Sequence, residues 1–387
     1  MNITVFVDHS NPLNGVLSWI NDLTEYSPDL DLLMVGMLTQ DERTPWAETV
    51  DQDILGTLVR LSPEQVKVAE NAQSLDELSA DISSIIQRTD VYLPNGYESG
   101  YRLAALARRL HHPNGVVAFT HTDAPHDHYL TKRYADIVST FVAADSPSLR
   151  RTRERLPDRV SSIVQVPHGL TAPPFEARQP SEEHLALVYA GRVIQEQKRI
   201  FDLLPMCAEL RRRGVRFTLD VIGDGADREA FQHRAALRYP EIRCRGLMRR
   251  QDLLATYQHY DCLVMCSQTE GMSVALMEAM ARGVVPVVTD VGGAKDLIAQ
   301  GREGYTWPPG ETARAADHLE RLWKDPALLA ACSRAAHHTI ATRHAPATAA
   351  ARMTAILRNA AAHPVGSPAQ VEALLADTSR SPYLART

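Results

Sequence analysis

Two doubly wound α/β domains are the fold class that the sequence predicts, and three observations carry the prediction. Short apolar runs alternate with helix-length segments along most of the chain. The rhythm breaks once, near the middle, where Pro, Glu and polar residues replace it. Several runs end in a glycine just before a helical segment begins, the pattern of parallel sheets that bind ligands at their carboxyl edge. At 387 residues, 44% of them hydrophobic, the chain can bury two separate cores.

In the first half the expected strands are ITVFVD, DLLMVGML, DVYLP, GVVAFTH, DIVSTFVAAD and SSIVQVPHG. In the second half they are LALVYAGR, RFTLDVIGDG, IRCRG, DCLVMCS, VVPVVTD and GYTWP. The expected boundaries are a first domain over 1–168, a linker over 169–184 and a second domain over 185–345. After Gly310 the pattern turns helical: ARAADHLERLWKD, PALLAACSRAAHHTIATRH and TAAARMTAILRNAAA. The third of these, over 346–364, is expected to cross back to the first domain. Residues 365–387 are rich in Pro, Ser and Ala, with one amphipathic turn at Val371, Leu374 and Leu375, and read as a packed arm or a partly disordered tail.

Composition narrows the function. A net charge of −6 leaves no basic excess for nucleic acid. The basic stretch 149–159 (LRRTRERLPDR) reads as a solvated helix face, with contact to an anionic acceptor or an acidic membrane surface as the lesser alternative. No apolar run approaches the roughly 20 residues that span a bilayer, and MNITVFVDHS lacks the pattern of a signal peptide, so a soluble cytoplasmic protein is expected. The five cysteines, two of them in the apolar run CLVMC, read as core thiols rather than zinc ligands.

The segment TEGMSVALMEAMARGVVPVVTD (269–290) holds Glu270 before a helix and Glu278 inside it. The amides around Gly271, Met272 and Ser273 open that helix, where a phosphate is well held. A carboxylate beside a phosphate is repelled unless it binds something attached to the phosphate, such as sugar hydroxyls. The plain alternative makes Glu270 a helix-start charge and Glu278 a surface residue. Arg192 and Lys198 follow a strand at the same edge, as two cations that suit a diphosphate, with Lys198 as an ordinary solvated lysine the plain alternative. Gly223 and Gly225 close another strand in IGDGADR, where Arg228 rules out a dinucleotide fingerprint and a tight turn open to a ligand remains. VGGAKDLI adds Gly292 and Gly293.

These residues resemble the retaining glycosyltransferases of family 4. The matching stretches are AGR with Lys198, VIGDG, SQTEGM running into LMEAMARGVVPVV, and VGGAKDLI with GREGYTW, over about 185–310. The resemblance implies the GT-B fold, two Rossmann-like doubly wound α/β domains facing across a cleft. It implies that Glu270 contacts the donor sugar, Glu278 the nucleotide ribose, and Arg192 and Lys198 the diphosphate, with Gly271 to Ser273 helping. It places the base against the backbone of Leu247 and Met248.

In the first domain the resemblance implies the acceptor. The glycine-rich loop after strand one survives only as NPLNGVLSWINDL, with Gly15 alone where a pair is common. AFTHTDAPHDHY (118–129) gathers three histidines and two aspartates, which read as a metal site or, preferred, as a polar active-site loop. His121 is expected to face the donor sugar, with His126 and Asp127 on the acceptor side. His168 and Gly169 match the family's interdomain turn. Asn95, Tyr97 and Glu98, in PNGYESGY, suit a hydroxyl-rich acceptor or an ordinary surface loop.

The expected reaction is sugar transfer, with retention, from a nucleoside diphosphate (UDP first, GDP second) to a hydroxyl. The acceptor would be a sugar, an aminocyclitol, a lipid-linked or another hydroxyl compound, and neither cofactor nor metal is expected. The rivals are a phosphorylase or sugar-phosphate synthase of the same fold, and a non-catalytic nucleotide-sugar binder.

Overall fold

The computed structural model describes residues 1–8, 15–37, 58–121, 125–177 and 184–377. The chain divides into two compact units, Met1–Gly169 with Pro346–Thr387, and Leu170–Ala345.

In the first unit the elements run β1 (Asn2–Asp8), α1 (Gly15–Tyr26), β2 (Asp31–Met37), β3 (Leu58–Leu61), α2 (Pro63–Ala69), α3 (Ala80–Arg88), β4 (Val91–Leu93), α4 (Glu98–Arg109), β5 (Gly115–Thr120), α5 (Pro125–Arg133), β6 (Thr140–Ala143), α6 (Ser146–Arg155) and β7 (Ile163–Gln165). The seven strands form one parallel sheet in the order β3-β2-β1-β4-β5-β6-β7. Burial on both faces explains why β4, β5 and β6 read as unbroken apolar runs. β3 was not foreseen.

The second unit holds β8 (Leu185–Ala190), α7 (Gln195–Lys198), α8 (Leu203–Arg212), β9 (Phe217–Ile222), α9 (Arg228–Arg238), β10 (Ile242–Gly246), α10 (Arg250–Thr256), β11 (Cys262–Met265), α11 (Val274–Met280), β12 (Val285–Thr289), α12 (Ala294–Leu297), β13 (Tyr305–Trp307), α13 (Thr312–Lys324) and α14 (Pro326–Arg343). Its six parallel strands lie in the order β10-β9-β8-β11-β12-β13. Counted from its first strand this is 3-2-1-4-5-6, the Rossmann order, with its topological switch point between β8 and β11. The apolar face of α13, with Ala315, Ala316, Leu319 and Leu322 at helical spacing, closes over the core with Tyr189, Phe231 and Trp307.

The last two helices, α15 (Pro346–Ala362) and α16 (Pro368–Ala376), belong to the first unit. α15 buries Ala350, Met353, Leu357 and Ala360, and a Cβ on Gly115 at the start of β5 would come 2.5 Å from the Ala360 carbonyl oxygen. α16 is a packed arm: Val371 and Leu375 are buried, while Arg102 donates to the carbonyls of Leu375 and Asp377 at its carboxyl end. The rest of the expected tail, 378–387, lies outside the described residues. Four of the five cysteines are buried and all are free thiols.

Candidate functional site

In a doubly wound sheet, neighbouring loops part at the switch point and leave a crevice beyond the carboxyl ends of the strands. In the second unit those ends belong to β8 and β11, and Lys198 and Glu270 follow them. The Lys198 Nζ lies 2.5 Å from Glu270 Oε1, and the two side chains are only 13% and 12% exposed. The same oxygen accepts from the Ser267 hydroxyl at 2.5 Å, and Ser267 is fully buried. The sequence placed both residues at this edge without indicating that they pair.

Local structure accounts for the pair. The short helix α7 begins where the Gln195 amide donates to Asp227 Oδ2 at 2.7 Å, and it ends at Arg199, whose left-handed backbone (φ 49°) turns the chain directly after Lys198. The loop that carries Glu270 is stitched to α7: the Gln268 amide donates to the Gln197 carbonyl at 2.7 Å and Gln197 Nε2 to the Thr269 carbonyl at 3.2 Å. Arg192 donates to the other end of the Gln197 amide, and its side chain is exposed. Two cations and one carboxylate are thus held at one crevice by a chain of hydrogen bonds.

The glycines at this edge answer to the chain itself before they answer to a ligand. A Cβ on Gly223 (φ +139°) would lie 1.9 Å from the Gly191 carbonyl oxygen, and one on Gly225 2.6 Å from that of Val193. The backbone of the Gly292–Gly293 turn presses on the loop of Glu270: a Cβ on Gly292 would lie 2.5 Å from the Gly271 oxygen, which accepts from the Gly293 amide. These contacts add a reason for the glycines that the sequence reading, an opening for a ligand, did not contain.

Glu278 is 4% exposed, so the alternative of a surface residue is overturned. Arg250 Nε donates to its Oε1 at 2.7 Å, and Arg282 Nη1 donates to its carbonyl at 3.3 Å. Burial lowers the Arg282 pKa while the Glu278 charge opposes that shift. Ser273 caps α11, its hydroxyl accepting from the Leu276 amide, and Met272 is buried. Leu247 and Met248 are half-buried after β10, whose last residue, Gly246, accepts from the Gly223 amide at 2.8 Å.

In the first unit the switch point falls between β1 and β4. The loop after β1, residues 9–14, and residues 122–124 of the His- and Asp-rich segment lie outside the described residues; Gly15 opens α1. Asn95, after β4, has φ 48°, and its Nδ2 donates to the Phe6 carbonyl at 3.1 Å. That fixes the amide, so Oδ1 accepts from His121 Nε2 at 3.2 Å, and the imidazole is the Nε2–H tautomer. Its Nδ1 is buried with no hydrogen-bond partner among the described residues. The ring stacks against both Phe119 and His168, at 4.2 and 5.5 Å between centroids, and those two rings stack on each other at 5.8 Å. Burial, and secondarily the charge of His168, pushes its pKa well below the ordinary histidine value, so His121 is neutral at pH 7.

His126 Nε2 donates to the Gly96 carbonyl at 3.1 Å, and a Cβ on Gly96 would meet Asp127 Oδ1 at 3.0 Å, so these residues form one corner with Asn95 and His121. Glu98 is engaged elsewhere. It accepts from the Tyr134 hydroxyl at 2.7 Å and pairs with Arg133 at 3.3 Å, within the packing of α4 and α5. Tyr97 packs against the core of the unit.

Two Rossmann-like parallel sheets define the GT-B fold. Its likeness to solved structures extends over nearly the whole chain. Anabaena HepE, in complex with UDP and glucose, matches with a TM-score of 0.74 and 16% identity, over 92% of this chain and 99% of that one. The lipopolysaccharide outer core galactosyltransferase WaaB matches with a TM-score of 0.67 and 17% identity, over 93% and 99%. Residues 174–339 match the family model described as Glycosyl transferases group 1. Among curated relatives, a glycogen synthase of Mycobacterium tuberculosis is 26% identical over 223 residues, 54% of this chain and 53% of that one. An α-D-kanosaminyltransferase of Streptomyces kanamyceticus is 29% identical over 144 residues, 37% of each. The chain thus spans about half the length, or less, of these curated relatives. Among the described residues no helix is long and apolar enough to cross a membrane.

Proposed function

We propose that the protein is a retaining glycosyltransferase of family 4 type that moves a sugar from a nucleoside diphosphate, UDP first and GDP second, to an acceptor hydroxyl. The observation that carries this reading is the Lys198–Glu270 pair at the β8–β11 switch point, with the buried Glu278 eight residues further on. HepE and the pneumococcal GtfA, whose structures hold UDP with a sugar, share the fold.

Departure of the diphosphate builds negative charge, and Lys198 and Arg192 stabilise it. Donor binding draws the Lys198 ammonium from Glu270 to the diphosphate and leaves the carboxylate to accept from sugar hydroxyls. The amides of Gly271 to Ser273 lie beside it. Glu278 takes ribose hydroxyls, and the backbone of Leu247 and Met248 takes the base. The bond from the anomeric carbon to phosphate breaks as the bond to the acceptor oxygen forms on the same face, and the acceptor proton passes to the departing phosphate. In the first unit, Asn95, His126 and Asp127 serve an acceptor hydroxyl, and neutral His121 holds the Asn95 amide in place. Sugars, aminocyclitols and lipid-linked alcohols all present such a hydroxyl.

A thermal-shift panel of UDP, GDP, ADP and dTDP, each with and without its sugar, identifies the donor, because a ligand that binds the native state raises its melting temperature. With that donor, Lys198→Ala is expected to lower kcat by roughly a hundredfold or more while changing donor affinity by less than tenfold. An unchanged kcat removes Lys198 from the mechanism. A panel without any shift removes the nucleotide-sugar reading.

A further inference from the structure

Glu278 poses a problem that the proposed reaction does not solve. Its side chain is 6% exposed, and a carboxylate taken out of water needs a partner. That partner is Arg250, the first residue of α10, whose own side chain is 43% exposed. The contact, 2.7 Å from Nε to Oε1, engages one carboxylate oxygen. Arg282 lends charge as well, although its hydrogen bond goes to the backbone carbonyl of Glu278 rather than to the carboxylate. Tyr257, buried beneath, feels the same charge, yet its hydroxyl has no hydrogen-bond partner among the described residues. The Arg250 contact is therefore the one side-chain hydrogen bond to this carboxylate among the described residues.

Arg250 also stands two residues beyond Met248, where α10 begins after the loop that leaves β10 and is anchored through Gly246 to Gly223. It thereby joins two parts of the crevice, the loop after β10 and the helix α11, that are 28 residues apart in sequence. Neutralising the buried charge could be the whole of its task. A half-exposed guanidinium bonded to a single oxygen can do more, because a contact to Oε1 alone constrains the rotation of the carboxylate and leaves Oε2 for another donor.

We propose that Arg250 is a positioning residue for ribose recognition: by holding Glu278 Oε1 it aims Oε2 at the hydroxyls of the ribose, and so makes the site select ribonucleotides over deoxyribonucleotides. This rests on the reading of Glu278 as the ribose contact. Without the guanidinium, the carboxylate turns toward Arg282 or draws in water, and ribose hydroxyls find no fixed acceptor. A hydrogen bond to a charged acceptor corresponds to about a tenfold or greater change in affinity, which sets the scale of the selection.

The test compares the dissociation constants of UDP and 2′,3′-dideoxy-UDP by calorimetry, or of the GDP pair if wild type prefers GDP. The proteins are wild type, Glu278→Gln, Arg250→Met, Arg250→Lys and the double variant Arg250→Met/Glu278→Gln. Arg250→Met keeps the aliphatic stem, and Arg250→Lys keeps a charge that can reach the carboxylate. Wild type is expected to prefer the ribonucleotide by about tenfold or more. Arg250→Met and Glu278→Gln should each reduce the ratio to near one, the double variant should add nothing further, and Arg250→Lys should restore most of the preference.

A ratio unchanged in Arg250→Met, whatever its melting temperature, overturns the proposal, since it reduces Arg250 to a counterion. So does a full preference retained in Glu278→Gln. If wild type binds none of UDP, GDP, ADP and dTDP, the proposed function itself fails and this inference falls with it, an outcome distinct from binding without selection.

Discussion

At Gly223 the chain comes so close to itself that one added carbon has nowhere to go. A Cβ there would sit 1.9 Å from the Gly191 carbonyl oxygen, on a backbone with φ +139°. Gly214 has φ +73° and nothing within 4 Å of a built Cβ. Gly214→Ala should therefore cost about 1 kcal/mol, from backbone strain alone. Gly223→Ala should cost at least about 3 kcal/mol, because the ends of β8 and β9 must also part. Chemical denaturation of the two variants measures the difference, and equal costs would contradict the close approach. The place of Lys198 and Glu270 at one sheet edge was legible in sequence because both follow apolar runs, and strand ends show in the pattern. The partners were not: Lys198 and Glu270 are 72 residues apart, Arg250 and Glu278 28, and nothing local encodes a contact made by sheet order. Arg250 carries no sequence signal for that reason, and Glu98, whose loop suits either an acceptor or an ordinary surface, is held by Tyr134 and Arg133.

Among the elements, α15 shows how far covering and sequence order can part. It follows the second unit in the chain yet buries Met353 and Leu357 completely in the first, where the Thr354 and Ser27 hydroxyls meet at 2.8 Å. Leu357→Ala should lower the unfolding free energy by about 2–5 kcal/mol, the range for an emptied leucine site. Val68→Ala, at a side chain on α2 that is 72% exposed, should change it by less than about 0.5 kcal/mol. Urea titrations followed by circular dichroism decide this, and a small effect at Leu357 would mean that α15 is not part of the core. The long strands and these helices were readable because their periodicity is strong. β3 was not, being a four-residue edge strand with an exposed arginine, too short to show a period. α16 had a readable signal that was overlooked: Ser367 and Gln370 form a capping box around Pro368, which marks a helix start inside a stretch that composition alone makes look like a tail.

For the whole molecule, two units with separate cores mean that a ligand stabilises first the unit that holds it. The proposed donor site lies entirely within the second unit, in loops after β8, β9, β10 and β11. Nucleotide at one hundred times its dissociation constant adds about 2.7 kcal/mol to the native state that binds it. Hydrogen exchange should therefore slow, on adding the nucleotide found by thermal shift, in peptides covering 191–199, 223–228, 246–252 and 267–282. The tightest protection belongs to 267–282, where the Gly271 to Ser273 amides and both glutamates lie. α16 offers the internal control, since its capping arginines and buried Val371 and Leu375 belong to the other unit and touch no proposed nucleotide contact. Protection concentrated in 95–128 with none in 267–282 would move the nucleotide to the first unit and reverse the roles proposed for the two sheets.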